Sequence, residues 1–137
     1  MTEYEITAAL AEYLEIIHIL SQEGKPVRIT DISRRMGISK PSVNRAVNTL
    51  SLCGYVEHKP YGDVYITQKG TKQVRHLCEK YDVIAMFLSR TLGLEGRVLE
   101  KEAKAICHAV GNTTYERIKE CAEKSKKETP GKSKLVC

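Results

Sequence analysis

The stretch Glu102 to Gly111 sets Cys107 beside His108. A thiolate and an imidazole are both metal ligands, so the pair could hold an ion. It could equally be a small hydrophobe and its polar neighbour on a packed helix. A second group bears on polyanions. Pro41, Asn44, Arg45 and Asn48 recur at i, i+3, i+4 and i+7, with Lys40 and Ser42 at the leading end, opposite an apolar stripe of Val43, Val47 and Leu50 beside Ala46. Arginine and asparagine carry paired groups that match guanine and adenine edges in the major groove, while serine and lysine suit phosphate oxygens. A polar outer face is also what any surface helix presents, so the elements around these residues decide the reading.

Residues 6 to 22 space Ile6, Leu10, Tyr13, Leu14, Ile17 and Leu20 as one face of an amphipathic helix, stopped by Gly24 and Pro26. Thr30 is an expected N-cap for a short helix over 31–36, ended by Gly37. Ser39 is the expected cap of the next helix, with Pro41 in its first turn and an end near Leu52. Two helices joined by Gly-Ile-Ser have the form of a helix-turn-helix. From Gly54 to Thr67, β-formers alternate around Pro60, Tyr61 and Gly62, which predicts a hairpin. Helix, helix-turn-helix and hairpin make a winged helix, whose recognition helix presents its N-terminal end to DNA. Lys59 and Tyr61 at the hairpin tip suit flanking phosphates or the minor groove. With Arg28, the candidate DNA contacts are Arg28, Ser39, Lys40, Pro41, Ser42, Asn44, Arg45, Asn48, Lys59 and Tyr61.

Charge agrees with that assignment. Between Gly24 and Arg75 stand ten Lys/Arg against three Asp/Glu, a local excess of seven, while all 137 residues together carry +5. The rest is mildly acidic, which suits a polyanion partner for one half and a different task for the other. No apolar run approaches the roughly 18 residues of a membrane span. The N-terminus is acidic where a signal peptide is basic, so a soluble, cytoplasmic protein is expected. Five cysteines, at 53, 78, 107, 121 and 137, include no Cys-x-x-Cys pair, and reduced thiols are the default expectation. His18, His58 and His76 are scattered and read as polar surface. No glycine loop for phosphate and no nucleophile motif points to an enzyme.

After Gly70, Val74, Leu77, Tyr81, Ile84, Leu88 and Leu92 keep a spacing of three to four, a seam that one small domain cannot cover alone. A helix with Leu99, Ala103, Ile106 and Val110 follows, then one opening on Thr113-x-x-Glu116 as a capping box. Self-association would bury the seam and set two recognition helices one DNA turn apart. The expected fold is mainly α with a small β-hairpin: a winged helix-turn-helix over 1–70, an all-helical dimerisation domain over 71–123 and a mobile basic tail over 124–137.

Glu12-Tyr-Leu-Glu15, Thr30-Asp-Ile-Ser33, Ser39-Lys-Pro-Ser-Val43, Tyr65-Ile-Thr-Gln-Lys-Gly70 and Phe87 to Gly93 resemble the iron- and manganese-dependent repressors of the diphtheria-toxin repressor and manganese-transport regulator family. The likeness covers roughly residues 8–122 and is strongest in the first half. It implies a homodimer on a palindromic operator, loaded with a divalent metal held between the first helix, the long linking helix and the helix after it. The chain is expected to be of the shorter type, without an SH3-like third domain. In the family pattern the later helix supplies ligands where this chain has Lys104, Cys107 and His108, and the linking helix supplies a histidine where it has Tyr81.

Glu12, Glu15 and His108 thus match ligand types implied by the resemblance, with Cys107 as an able substitute. A thiolate and an imidazole with carboxylates favour zinc, iron, cobalt or nickel over manganese. Lys104 could instead neutralise Glu12 or Glu15 in the cation's place, giving a metal-independent regulator in which Cys107 answers to oxidation. A third reading has no site at all. The function expected is a sequence-specific, DNA-binding transcriptional regulator, with a winged-helix protein-interaction module as the reading from another class.

Overall fold

A computed structural model of the chain describes residues 6–124. These residues form α1 (Ala8–Ser21), β1 (Val27–Arg28), α2 (Ile29–Met36), α3 (Lys40–Leu52), β2 (Val56–His58), β3 (Asp63–Ile66), α4 (Gln68–Arg90), α5 (Gly96–Ala109) and α6 (Asn112–Lys124). The fold is mainly α with a small antiparallel sheet, as expected. The chain divides after Val74 into two compact units.

In the first unit, α1 starts where the Thr7 hydroxyl accepts the Leu10 N–H at 3.2 Å. Its Ala11, Leu14 and Ile17 are fully buried. The second helix begins earlier than Thr30 predicts: Arg28 is the cap residue, and Asp31 reaches back to accept the Arg28 N–H at 3.0 Å. The α3 start is as read, with Ser39 Oγ accepting the Ser42 N–H at 3.4 Å and Pro41 in the first turn. Val43, Val47 and Leu50 on α3 are all 0% exposed, as is Ile32 on α2. Each such aliphatic side chain contributes about 1.5–3 kcal/mol by leaving water.

The sheet order is β1-β3-β2, and β1 is a two-residue strand that periodicity could not reveal. Val27 pairs with Val64, Val56 with Ile66 and His58 with Val64, so these side chains share one face. That face is the inner one, since Val27, Val56 and Val64 are buried. Arg28 with Asp63, and Glu57 with Tyr65, take the other. The hairpin closes through Lys59 N–H to the Asp63 carbonyl at 2.8 Å and Gly62 N–H to the Lys59 carbonyl at 2.9 Å. Gly62 sits at φ 102°, and a Cβ there would lie 2.9 Å from Arg28 Nη2. Only glycine meets both conditions without strain.

The first turn of α4 is tied to Tyr55, the residue before β2. Thr67 Oγ1 accepts the Gly70 N–H at 3.1 Å and donates to the Tyr55 carbonyl at 2.9 Å. A Cβ on Gly70 would collide with that same carbonyl oxygen and with Ile66. The winged unit therefore closes on a helix start that tolerates no side chain at position 70.

In the second unit, Leu77, Cys78, Tyr81, Ile84 and Leu88 of α4 are buried in the expected spacing. Leu92, read as the seam's last member, is 57% exposed because α4 ends at Arg90. On α5 the buried line is Ala103 and Cys107, while Leu99, Ile106 and the C-cap residue Val110 are half-buried. Helix α6 begins at Asn112, so Thr113 lies inside its first turn and does not cap it. Tyr115 and Ala122 turn inward, and the Lys80 ammonium stands 5.5 Å from the Tyr115 ring centre. Among the described residues, Cys53, Cys107 and Cys121 carry free thiols. Apart from Lys124, which closes α6, the expected basic tail and Cys137 lie outside the described residues.

Candidate nucleic-acid interface

The polar row of α3 stands where its spacing requires. With Val43, Val47 and Leu50 turned inward, Lys40, Pro41, Asn44, Arg45 and Asn48 are exposed and Ser42 is half-buried. A chain of hydrogen bonds runs along the leading turn. Ser39 Oγ donates to Ser42 Oγ at 2.9 Å, and Ser42 Oγ accepts from Arg45 Nη2 at 3.2 Å. The same cap that starts the helix therefore holds its arginine in place. A guanidinium anchored by one nitrogen keeps its other N–H groups for a ligand.

The wing is built from charged contacts. Arg28, expected to meet DNA, is engaged within the unit: Nη1 lies 3.6 Å from Asp63 Oδ1, and Nη2 donates to the Tyr61 carbonyl at 3.1 Å. It clamps the hairpin tip to β1 while its side chain stays 59% exposed. The Lys59 ammonium lies 3.0 Å from Glu57, and that hydrogen bond, with the glutamate's charge, raises its pKa above the usual lysine value. Tyr65 is raised above the ordinary tyrosine value chiefly by its hydrogen bond with the Tyr61 hydroxyl. Tyr61 itself is 62% exposed at the tip. Asn48 Oδ1 meets His58 Nδ1 at 3.1 Å. Reading His58 as mere polar surface missed this contact. Its signal was parity, since His58 falls in step with the buried Val56.

The residues singled out for metal chemistry are divided between the two units. On α1, Glu15 is 8% exposed and Glu12 is exposed. On α5, Cys107 is 2% exposed and His108 half-buried, since neighbours on a helix point about 100° apart. The Cys107 thiol donates to the Leu77 carbonyl of α4 at 3.5 Å. Lys104 is exposed. Tyr81, 4% exposed, has its pKa raised first by burial and then by the charges of Glu100 and Asp82. Among the described residues no group of three or more His, Cys, Asp and Glu is placed to hold a metal ion. A buried thiol bonded to a backbone carbonyl, a lysine and a tyrosine do not fit the oxygen-rich octahedral set that manganese takes.

Two family models match nearly the whole chain: the iron dependent repressor N-terminal DNA-binding domain over residues 5–64, and the iron dependent repressor metal-binding and dimerisation domain over 67–135. The chain belongs to the iron-dependent repressor family, and is a DNA-binding transcriptional regulator with a dimerisation domain. An uncharacterized HTH-type transcriptional regulator of Methanocaldococcus jannaschii is 29% identical over 122 residues, covering 88% of this chain and 98% of that one. The transcriptional regulator MntR of Escherichia coli is 27% identical over 108 residues, 79% of this chain and 69% of its own. Among solved structures, the manganese regulator SloR is 26% identical with a TM-score of 0.67, over 83% of this chain and 53% of that one. The chain thus spans about half the length of SloR. No helix among the described residues is long and apolar enough to cross a membrane.

Proposed function

We propose that two copies of the chain pair through their helical units and bind a palindromic operator, each laying α3 in a major groove. Arg45, Asn44 and Asn48 then face base edges, with Ser39, Lys40, Ser42 and the wing residues Arg28, Lys59 and Tyr61 towards the backbone. The observation that carries this reading is the Ser39–Ser42–Arg45 chain on the exposed side of a helix whose other side is buried. Two-fold symmetry of the protein sets the half-site spacing at about one turn of DNA. The reading assigns repression as the outcome, the cytoplasm as the compartment, and no catalytic step.

The family is described as iron dependent, and SloR is named a manganese regulator. On this chain the residues with ligand chemistry are Glu12 and Glu15 in the first unit and Cys107 and His108 in the second; a thiolate and an imidazole favour zinc, iron(II), cobalt or nickel. A second reading is favoured by the Cys107–Leu77 hydrogen bond and by Lys104 and Tyr81 at positions where the family has ligands: the dimer binds its operator without a metal. Elemental analysis of protein purified without chelator, followed by operator binding with manganese, iron(II), zinc or none, separates the two. Binding that rises with one ion supports the metal-responsive form. Full binding without metal, unchanged by any ion, supports the second. No operator enriched from a random duplex pool under any of these conditions would overturn DNA reading by α3.

A further inference from the structure

His58 closes β2 at a position where the sheet would ordinarily continue its apolar face. It pairs with Val64 and shares the inner side with Val56 and Val27, both buried. A strand alternates its side chains, so His58 must point towards the layer that holds α3. There its Nδ1 stands 3.1 Å from Oδ1 of Asn48, the last member of the exposed row. An amide oxygen only accepts, so Nδ1 carries the hydrogen and donates it.

That contact decides what Asn48 can offer. With one lone pair of its oxygen engaged by the histidine, the amide is held in one orientation, its two N–H groups directed away from His58 and foremost towards a ligand. Adenine is read by asparagine through an acceptor and a donor together, N7 and the N6 amino group. Guanine presents two acceptors, N7 and O6, and thymine presents O4. We infer that His58 is a positioning residue for specificity: it fixes the Asn48 amide with its N–H groups foremost, so that this position of α3 favours guanine or thymine over adenine, whose single acceptor N7 is flanked by the N6 donor. The expectation of adenine from the residue type alone is reversed by the partner on the wing. Because β2 supplies the histidine, recognition helix and hairpin act as one reading surface.

This inference rests on the proposed binding of α3 to DNA, and its test separates the two. The 137-residue chain is used to select an operator from a random-sequence duplex pool, and each base pair of the half-site is then substituted. Affinities are compared for the parent, Asn48→Ala, His58→Ala, His58→Gln and Arg45→Ala. The parent should favour guanine or thymine at one base pair by about tenfold, and Asn48→Ala should abolish that preference. His58→Ala should shift the same base pair towards adenine while leaving the others unchanged. His58→Gln, whose amide N–H can donate in the same direction, should restore the parent preference and serves if His58→Ala folds poorly. A parent preference for adenine or cytosine at the Asn48 base pair would overturn the inference. So would an equal loss on every duplex with His58→Ala, or no effect of Asn48→Ala at any base pair. If Arg45→Ala then still relaxes one position, α3 remains the reading helix and only the His58 assignment fails. If neither variant changes any base pair, the binding mode itself fails.

Discussion

Ser42 Oγ lies 3.2 Å from Arg45 Nη2 and 2.9 Å from Ser39 Oγ, so one hydroxyl joins the cap of α3 to the residue best suited to read guanine. Arg45→Ala should weaken operator binding by on the order of 1–3 kcal/mol and relax preference at a single base pair. Fluorescence anisotropy on a panel of singly substituted duplexes checks both. Uniform affinity across the panel in parent and variant would remove Arg45 from the reading role.

Lys40 occupies the first position of α3 beside its N-terminus, exposed and next to Pro41. As a phosphate contact it adds affinity without choosing a base. Lys40→Ala should lower affinity for all duplexes alike and reduce the slope of log K against log salt by about 1. A salt titration with an unchanged slope would count against the contact.

Gly70 is held in the first turn of α4 against the Tyr55 carbonyl, with no room for a Cβ. Its substitution by alanine ordinarily favours a helix, yet here it must push two elements apart. Gly70→Ala should destabilise the chain by about 1–3 kcal/mol, as overpacking does. Urea unfolding followed by circular dichroism measures it, and a gain in stability would show that the turn can yield.

Tyr81 and Tyr115 keep their protons to higher pH in the folded chain than the ordinary tyrosine value of 10.0, burial being the first cause for both. A raised folded pKa means that the native state holds protons which the unfolded state releases. The associated stability is complete below the unfolded value and is lost as pH climbs from about 10 through the folded value. Denaturation midpoints should therefore fall above about pH 10. The fall should be shallower in Tyr81→Phe and Tyr115→Phe. Equal slopes in parent and variants would place the alkaline loss elsewhere.

Much of the fold was legible because local chemistry and tertiary packing agree. Ser39 and Pro41 mark the start of α3 by needs of the backbone that no neighbour alters, and Val43, Val47 and Leu50 have a period only a helix can bury on one side. The spacing of Leu77, Tyr81, Ile84 and Leu88 worked for the same reason. Thr30 and Thr113 failed as caps because other residues fix those starts: Asp31 bonding back to Arg28 in one case, and a helix already begun at Asn112 in the other. β1 was invisible because two residues have no period, and its pairing with β3 is a long-range event.

The sequence by itself determined where the helices begin and which faces they bury, since capping and hydrophobic spacing act within a few residues. What each polar group may do was left to the tertiary structure. Arg28 became a clamp on the wing, Cys107 a donor to Leu77, and His58 the partner of Asn48, through contacts made across 33, 30 and 10 residues. Hydrogen bonds join whatever the fold brings within about 3 Å, and chain order does not encode that distance.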